Sequence, residues 1–317
     1  MSKADETRAW TAAEMPSQMG RRILITGANS GIGFHAALKL ARKGAEVILA
    51  CRDRQKGEIA LDRLHTEAPS THTELAILDL ASLDSVREFA AQELSKNRPL
   101  HVLINNAGVM APPRRQQTKD GFEVQFGTNV LGHFALTGLL LPALGRSEMP
   151  RVVTVASIAH KRGRLNFNDL QSTKSYSPMG SYQQSKLADL MLALELDRRL
   201  RAASSPVMSI AAHPGVAHTN LFEKGDHSPV QKTLRKVVSH AIGIVLNTDA
   251  EGALPTLYAA TAADAKPGGY YGPKGFQEMR GDEVVAAQVA PQARDEAAAA
   301  RLWKICEELT GVSYLDR

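Results

Sequence analysis

Six short runs rich in β-formers, Arg22–Thr26, Glu46–Cys51, Glu74–Asp79, His101–Asn105, Arg151–Ser157 and Val207–His213, are separated almost throughout by helical patterns. Nothing else in the chain restricts its fold as much. A strand reaches a parallel neighbour only through a crossover of about a dozen residues or more, and an amphipathic helix supplies that crossover while covering one face of the sheet. Such crossovers are right-handed, so repetition of the unit predicts an α/β architecture: a doubly wound, mostly parallel sheet with helices on both faces. Ligands of such sheets sit beyond the carboxyl ends of the strands, which makes each strand end a candidate site. A last strand is expected at Gly269–Tyr271. With no Pro/Gly/Ser-rich linker and no internal repeat, residues 21–317 are expected to form a single domain, preceded by a polar N-terminal extension over residues 1–20.

Composition narrows the function. A chain of 317 residues that is 44% hydrophobic and 22% charged buries a sizeable core. The formal charge of +5 would suit nucleic acid, but the basic residues are spread along the chain and aromatics are only 5%, so no nucleic-acid role is expected. Cys51 and Cys306 lie far apart without metal-ligand or redox spacing, which points to free thiols in a reducing compartment. His213 and His218 have no cysteine or carboxylate at ligand spacing, and no metal is expected. Residues 1–20 lack the apolar core of a signal peptide, and no run approaches the ~20 apolar residues of a membrane span. The expectation is a cytoplasmic protein without a transmembrane segment.

The first strand runs into "ITGANSGIG", where glycines at Gly27, Gly31 and Gly33 precede a helical pattern. Glycine permits positive φ and close ligand approach, so a strand, a Gly-rich turn and a helix start together form a phosphate cradle at the positive end of a helix dipole. The Gly-Lys-Ser/Thr of a nucleoside triphosphatase loop is missing, which argues against ATP or GTP hydrolysis. The pattern Thr-Gly-x-x-x-Gly-x-Gly resembles the short-chain dehydrogenase/reductase family. That resemblance implies a Rossmann-type sheet and dinucleotide binding by Thr26, Gly27, Asn29, Ser30, Gly31, Ile32 and Gly33. The second strand ends at neutral Cys51 followed by Arg52, where enzymes of this kind that use NAD usually carry an acid for the ribose hydroxyls. A guanidinium there suits a 2′-phosphate, so NADP (NADPH) is the expected cofactor, and Asp53 is read as a helix cap. Asp79 and Leu80 resemble the family's adenine-binding pair, while Asn106, Ala107 and Gly108, following Asn105, resemble its Asn-Asn-Ala-Gly segment lining the cofactor groove.

The chemistry centres on "SYQQSKLADL". Tyr182 and Lys186 are four residues apart in a helical pattern continued by Leu187, Leu190 and Leu194, so phenol and ammonium share one face. A cation nearby favours the ionised phenol, lowering a reference pKa of about 10 toward the working range, at about 1.4 kcal/mol per unit. Tyr176 is a decoy, with Gly180 where the lysine would stand. Ser157, at the end of the fifth strand, resembles the family serine that hydrogen-bonds the substrate oxygen, although it precedes Tyr182 by a longer segment than most members carry. That segment is similar to the one in the retinol-dehydrogenase-like branch. By the same resemblance Asn129 holds a water linking Lys186 to solvent, and Pro214, Gly215, Val216 and Thr219 surround the nicotinamide carboxamide.

Between Asp226 and Leu246, Val230, Leu234, Val237, Val238 and Ile242 fall at helix-face spacing, inside the region around 220–247 that covers the substrate in this family. An apolar lid implies a bulky, apolar carbonyl or alcohol as the small-molecule substrate. Two rival readings stay open for the same stretch: the face of a homo-oligomer, or a membrane-surface helix helped by Lys232, Arg235 and Lys236. Alternatives to an alcohol/carbonyl oxidoreductase are an NADP-binding sensor or scaffold and a C=C reductase resembling protochlorophyllide reductase. The presence of Ser157, Tyr182 and Lys186 together favours the enzyme.

Overall fold

The computed structural model describes residues 10–216 and 247–315. Thr219, His218 and the expected lid at Asp226–Leu246 lie outside those residues.

Eight strands form one sheet in the order β3-β2-β1-β4-β5-β6-β7-β8. They are β1 (Arg22–Thr26), β2 (Glu46–Cys51), β3 (Thr73–Ile77), β4 (Val102–Asn105), β5 (Arg151–Val155), β6 (Met208–Ala212), β7 (Tyr270–Pro273) and β8 (Val284–Ala286). The first seven pair in parallel, and β8 joins β7 antiparallel. The first two strands match their expected bounds. The third ends at Ile77 and the fifth at Val155, so Asp79 and Ser157 stand in the loops beyond the strands, where side chains are free to face a ligand. The edge strand β8 is only three residues long, with burial falling from Val284 to an exposed Ala286, too short to show a period in the sequence.

Central strands read as continuous apolar runs because both of their faces are covered. Leu24, Ile48, Leu103 and Val152 pack on one side with α3 (Leu83–Ser95), α4 (Gly132–Leu144), α5 (Pro178–Ala202) and α7 (Glu296–Thr310). Ile23, Ile25, Val47, Leu49, Ile104 and Val153 pack on the other with α1 (Gly31–Arg42), α2 (Arg54–Glu67) and α6 (Leu254–Thr261). The N-terminal extension is partly built into this second layer. Trp10 bridges to Val284 and lies edge-on to Tyr258 at 5.6 Å, and Met15 is buried. Helix starts follow local chemistry: Asp53 accepts from the Lys56 backbone N–H at the start of α2, and Ser177 accepts from Gly180 before α5, whose first residue is Pro178. A π-helical segment, Phe126–Leu131, runs straight into α4. By length and composition the combined helix Phe126–Leu144 is apolar enough to cross a membrane, in contrast to the expectation that no run approaches one, but it is largely buried against the sheet.

Strand order reverses between β1 and β4, opening a crevice at the carboxyl ends. The amino ends are tied by charge. The Arg22 side chain is 4% exposed and donates to Glu46 at 3.1 Å, Glu74 at 2.9 Å and Glu93 at 2.7 Å, spanning β1, β2, β3 and α3. Removing one partner of a buried ion cluster leaves the others desolvated and uncompensated. Arg22→Ala is therefore expected to lower the unfolding free energy by about 3 kcal/mol, the low end for such clusters because Lys96 and Arg98 still neighbour the carboxylates. Urea denaturation checks this, and a loss below about 1 kcal/mol would show that the cluster is peripheral to stability.

Candidate active site

A cleft of about 930 Å³ opens along the carboxyl ends of β1 to β6. Its floor is the turn after β1. Gly27 and Gly31 have φ of +67° and +58°, in the left-handed region that disfavours side chains. A Cβ on Gly33 would stand 2.5 Å from the Asn106 side-chain nitrogen and 2.6 Å from the Gly27 carbonyl oxygen, so only glycine fits there. Asn106 fixes this turn to the β4 end: its Nδ2 donates to the Thr26 carbonyl at 2.8 Å, and its backbone N–H donates to Thr26 Oγ1 at 2.9 Å. Asn29, Ser30, Ile32, Ala107 and Gly108 line the same cleft.

One hydrogen-bond chain leads from this floor inward. Thr26 Oγ1 accepts from the backbone N–H groups of Asn106 and Ala107, and its O–H faces the Ile104 carbonyl at 3.4 Å and, closer, His133 Nε2 at 2.9 Å. His133 Nδ1 lies 2.8 Å from the Asn129 carbonyl and must donate to it. Burial pushes the His133 pKa down to about 4, the hydrogen bond to Asn129 opposing, so the neutral ring these two bonds require is the stable form. Asn129 itself sits in the π-helical segment and clamps the strand-end loop: its Oδ1 accepts from Val109 N at 2.8 Å, and its Nδ2 donates to Val109 O and Ser185 Oγ. Asn129 is thus buried beneath the cleft, whereas the other expected site residues among those described line it.

At the β2 and β3 end of the cleft, Arg52 is exposed and forms no ion pair with a described residue, while Asp53 behind it caps α2. Asp79 accepts from Ala81 N at 3.1 Å and faces Lys119 at 3.7 Å, and Leu80 is buried next to it. Arg114, which the sequence pattern does not flag, also borders this cleft.

At the opposite end, Ser157 follows β5, Pro214, Gly215 and Val216 follow β6, and α5 presents Tyr182 and Lys186. The Lys186 ammonium is buried, donating to the Val155 carbonyl at 2.9 Å and to Asp189 Oδ2 at 2.8 Å. Burial works against the charge, but Asp189 and then Tyr182 outweigh it and the lysine pKa is raised. Tyr176 is elsewhere. Its hydroxyl donates to the Pro112 carbonyl at 2.7 Å, and burial, followed by the charge of Glu123, pushes its pKa up to about 12. His213 is fully buried, accepting from Gly215 N at 3.1 Å with Nε2 3.3 Å from Glu278, a carboxylate that also takes Lys161 at 2.9 Å. Glu278 therefore ties the loop after β7 to the Pro214–Gly215 turn, a link across more than sixty residues that no local pattern announces.

Comparison with known proteins agrees with this geometry. The short chain dehydrogenase family pattern matches residues 21–229. Human retinol dehydrogenase 13 is 39% identical over 298 residues, covering 92% of this chain and 85% of that protein. Mouse retinol dehydrogenase 14 is 40% identical over 305 residues, covering 92% and 86%. The crystal structure of an uncharacterized protein from Mycobacterium paratuberculosis is 43% identical with a TM-score of 0.79, covering 97% of this chain and 99% of that one. A short chain dehydrogenase from Escherichia coli CFT073, solved with NADPH, shares the fold at 24% identity and a TM-score of 0.61, covering 80% and 96%.

Proposed function

From the premise that the chain belongs to the short chain dehydrogenase family, we propose that it is an NADP(H)-dependent oxidoreductase interconverting a bulky, apolar alcohol and its ketone or aldehyde. The observation that carries this reading is the buried, charged Lys186 one helical turn from Tyr182 at the wall of the cleft. A lysine with no task would reach solvent along its aliphatic stem. This one is turned inward.

The cleft fits a nicotinamide dinucleotide. The glycine floor leaves no room for a Cβ at Gly33, and the N-terminus of α1 points its backbone N–H groups at the space where a pyrophosphate belongs. Gly27, Asn29, Ser30, Gly31 and Ile32 would hold the phosphates, Asp79 and Leu80 the adenine, Arg52 the 2′-phosphate, and Asn106 to Gly108 with Pro214 to Val216 the nicotinamide half. When bound, the dinucleotide supplies or takes up the hydride at the carbonyl carbon.

The chain's own residues manage the oxygen. Ser157 and Tyr182 donate hydrogen bonds to the substrate carbonyl, and Tyr182 gives up its proton to that oxygen in reduction or takes it from the alcohol in oxidation. Lys186 stabilises the phenolate left behind and holds a ribose hydroxyl, with Asn129 supporting the route by which the proton is replaced. An apolar substrate is supported by the helix-face pattern over Asp226–Leu246 and by the retinol dehydrogenase names of the relatives.

Two measurements test the reading. NADP(H) is expected to bind at least tenfold tighter than NAD(H), about 1.4 kcal/mol, and Arg52→Ala to remove most of that preference. Equal affinities in the unaltered protein would refute the cofactor assignment. Across a panel of ketones, aldehydes and alcohols followed by nicotinamide absorbance, Tyr182→Phe is expected to lower kcat by ~10² or more with cofactor affinity nearly intact. Near-normal turnover by that variant would remove Tyr182 as the acid–base group, and no turnover by the unaltered protein across the panel would favour a sensor or scaffold.

A further inference from the structure

Tyr182, Lys186 and Asp189 stand at positions i, i+4 and i+7 of α5, which lays all three on one stripe of the helix. The third member has no place in the mechanism above, yet it is a buried carboxylate in direct contact with the lysine, Oδ2 to Nζ at 2.8 Å, and its side chain is 5% exposed. An ammonium has three N–H donors. Val155 O and Asp189 Oδ2 take two of them from the protein interior, leaving one for the cleft. Behind Asp189 lies a cavity of about 30 Å³, large enough for a water. Asn105 and Thr154 also line it, and Asn105 Oδ1 has no hydrogen-bond partner among the described residues. The carboxylate is therefore set between its cation and a small, mostly apolar cavity.

We propose that Asp189 is a positioning residue of the active site: it holds the Lys186 ammonium in one place and, as its counter-charge, sets how strongly that ammonium acts on Tyr182. The proposal rests on the reading of Tyr182 as the acid–base group. Two opposite charges on one stripe act on the phenol with opposite sign, the nearer cation favouring the phenolate and the carboxylate behind it offsetting part of that effect. Burial raises the Asp189 pKa against the pull of Lys186, so this counter-charge is more easily neutralised by acid than that of an exposed aspartate. Of the titratable groups on neighbouring elements, four are neutral near pH 7, and the carboxyl groups of Glu307 on α7 and Glu278 after β7 lie next to three of them. Burial lowers His133 on α4 to about 4 and raises Cys306 on α7, Tyr314 after it and Tyr270 on β7. Asp189 is the carboxylate in direct contact with Lys186 and so the group placed to modulate its field.

Removing the lysine charge and removing its counter-charge must move Tyr182 in opposite directions, which separates this role from mere packing. The test is a spectrophotometric titration of tyrosinate, with the Tyr182 curve obtained as the difference between each protein and the same protein carrying Tyr182→Phe. In the Asp189→Asn background the Tyr182 midpoint is expected to fall by about one pH unit, a tenfold change in ionisation, and the rising limb of alcohol oxidation to move with it. An unchanged or raised midpoint overturns the proposal. If Asp189→Asn does not fold, Asp189→Ser carries the same test, since it also removes the charge and leaves space for a water. Failure of the underlying mechanism is visible separately, as normal turnover by Tyr182→Phe in the otherwise unaltered protein.

Discussion

A positive charge kept inside the protein is the constraint around which the rest of the site is arranged. Desolvating an ammonium costs several kcal/mol unless acceptors and a counter-charge replace the lost water. Lys186 receives both: a carbonyl from the end of β5 and a carboxylate from its own helix. These acceptors are rigid because β5 lies inside the sheet and α5 runs for 25 residues against it. The ammonium is thereby placed before any ligand arrives, and a preorganised charge of this kind is worth more at a developing phenolate than a mobile one in water.

The sheet gives that charge a setting. Every parallel strand delivers its carboxyl end to the same edge, so a glycine turn, an arginine, the loop after β3, a serine and a Pro-Gly turn from far-apart segments converge on one cleft. The opposite edge does different work. There Arg22 gathers three acidic side chains and locks β1 to β3 together, while the carboxyl edge carries the turns that line the cleft. The chain Thr26–His133–Asn129 joins the glycine floor to the helix beneath it, and a neutral His133 passes this link without adding charge beside Lys186.

Much of this was legible in the sequence because it rests on local rules. Strand–helix alternation, the glycine turn and the Asp53 cap each concern neighbours within a few residues, and Tyr182 and Lys186 share a helix face by spacing alone. What escaped depends on distance. Strand β8 is three residues long and is held by pairing with β7 and Trp10, so it has no period of its own. The extension before Arg21 read as polar, yet Trp10 and Met15 find apolar partners in α6 and the sheet once the chain is folded. Glu278 reaches His213 and Lys161 only through the tertiary fold. His133, four residues after Asn129, and Asp189, three after Lys186, did carry a signal: a titratable side chain at helical spacing from a site residue.

The claim on which the others hang is that Lys186 makes Tyr182 a working acid–base group through its charge. The pH dependence of alcohol oxidation by the unaltered protein and by Lys186→Met tests it most directly. Loss of the cation is predicted to displace the rising limb toward higher pH and to reduce both turnover and cofactor affinity. A limb that stays at the same pH, with only the rate reduced, would contradict an electrostatic role for the lysine.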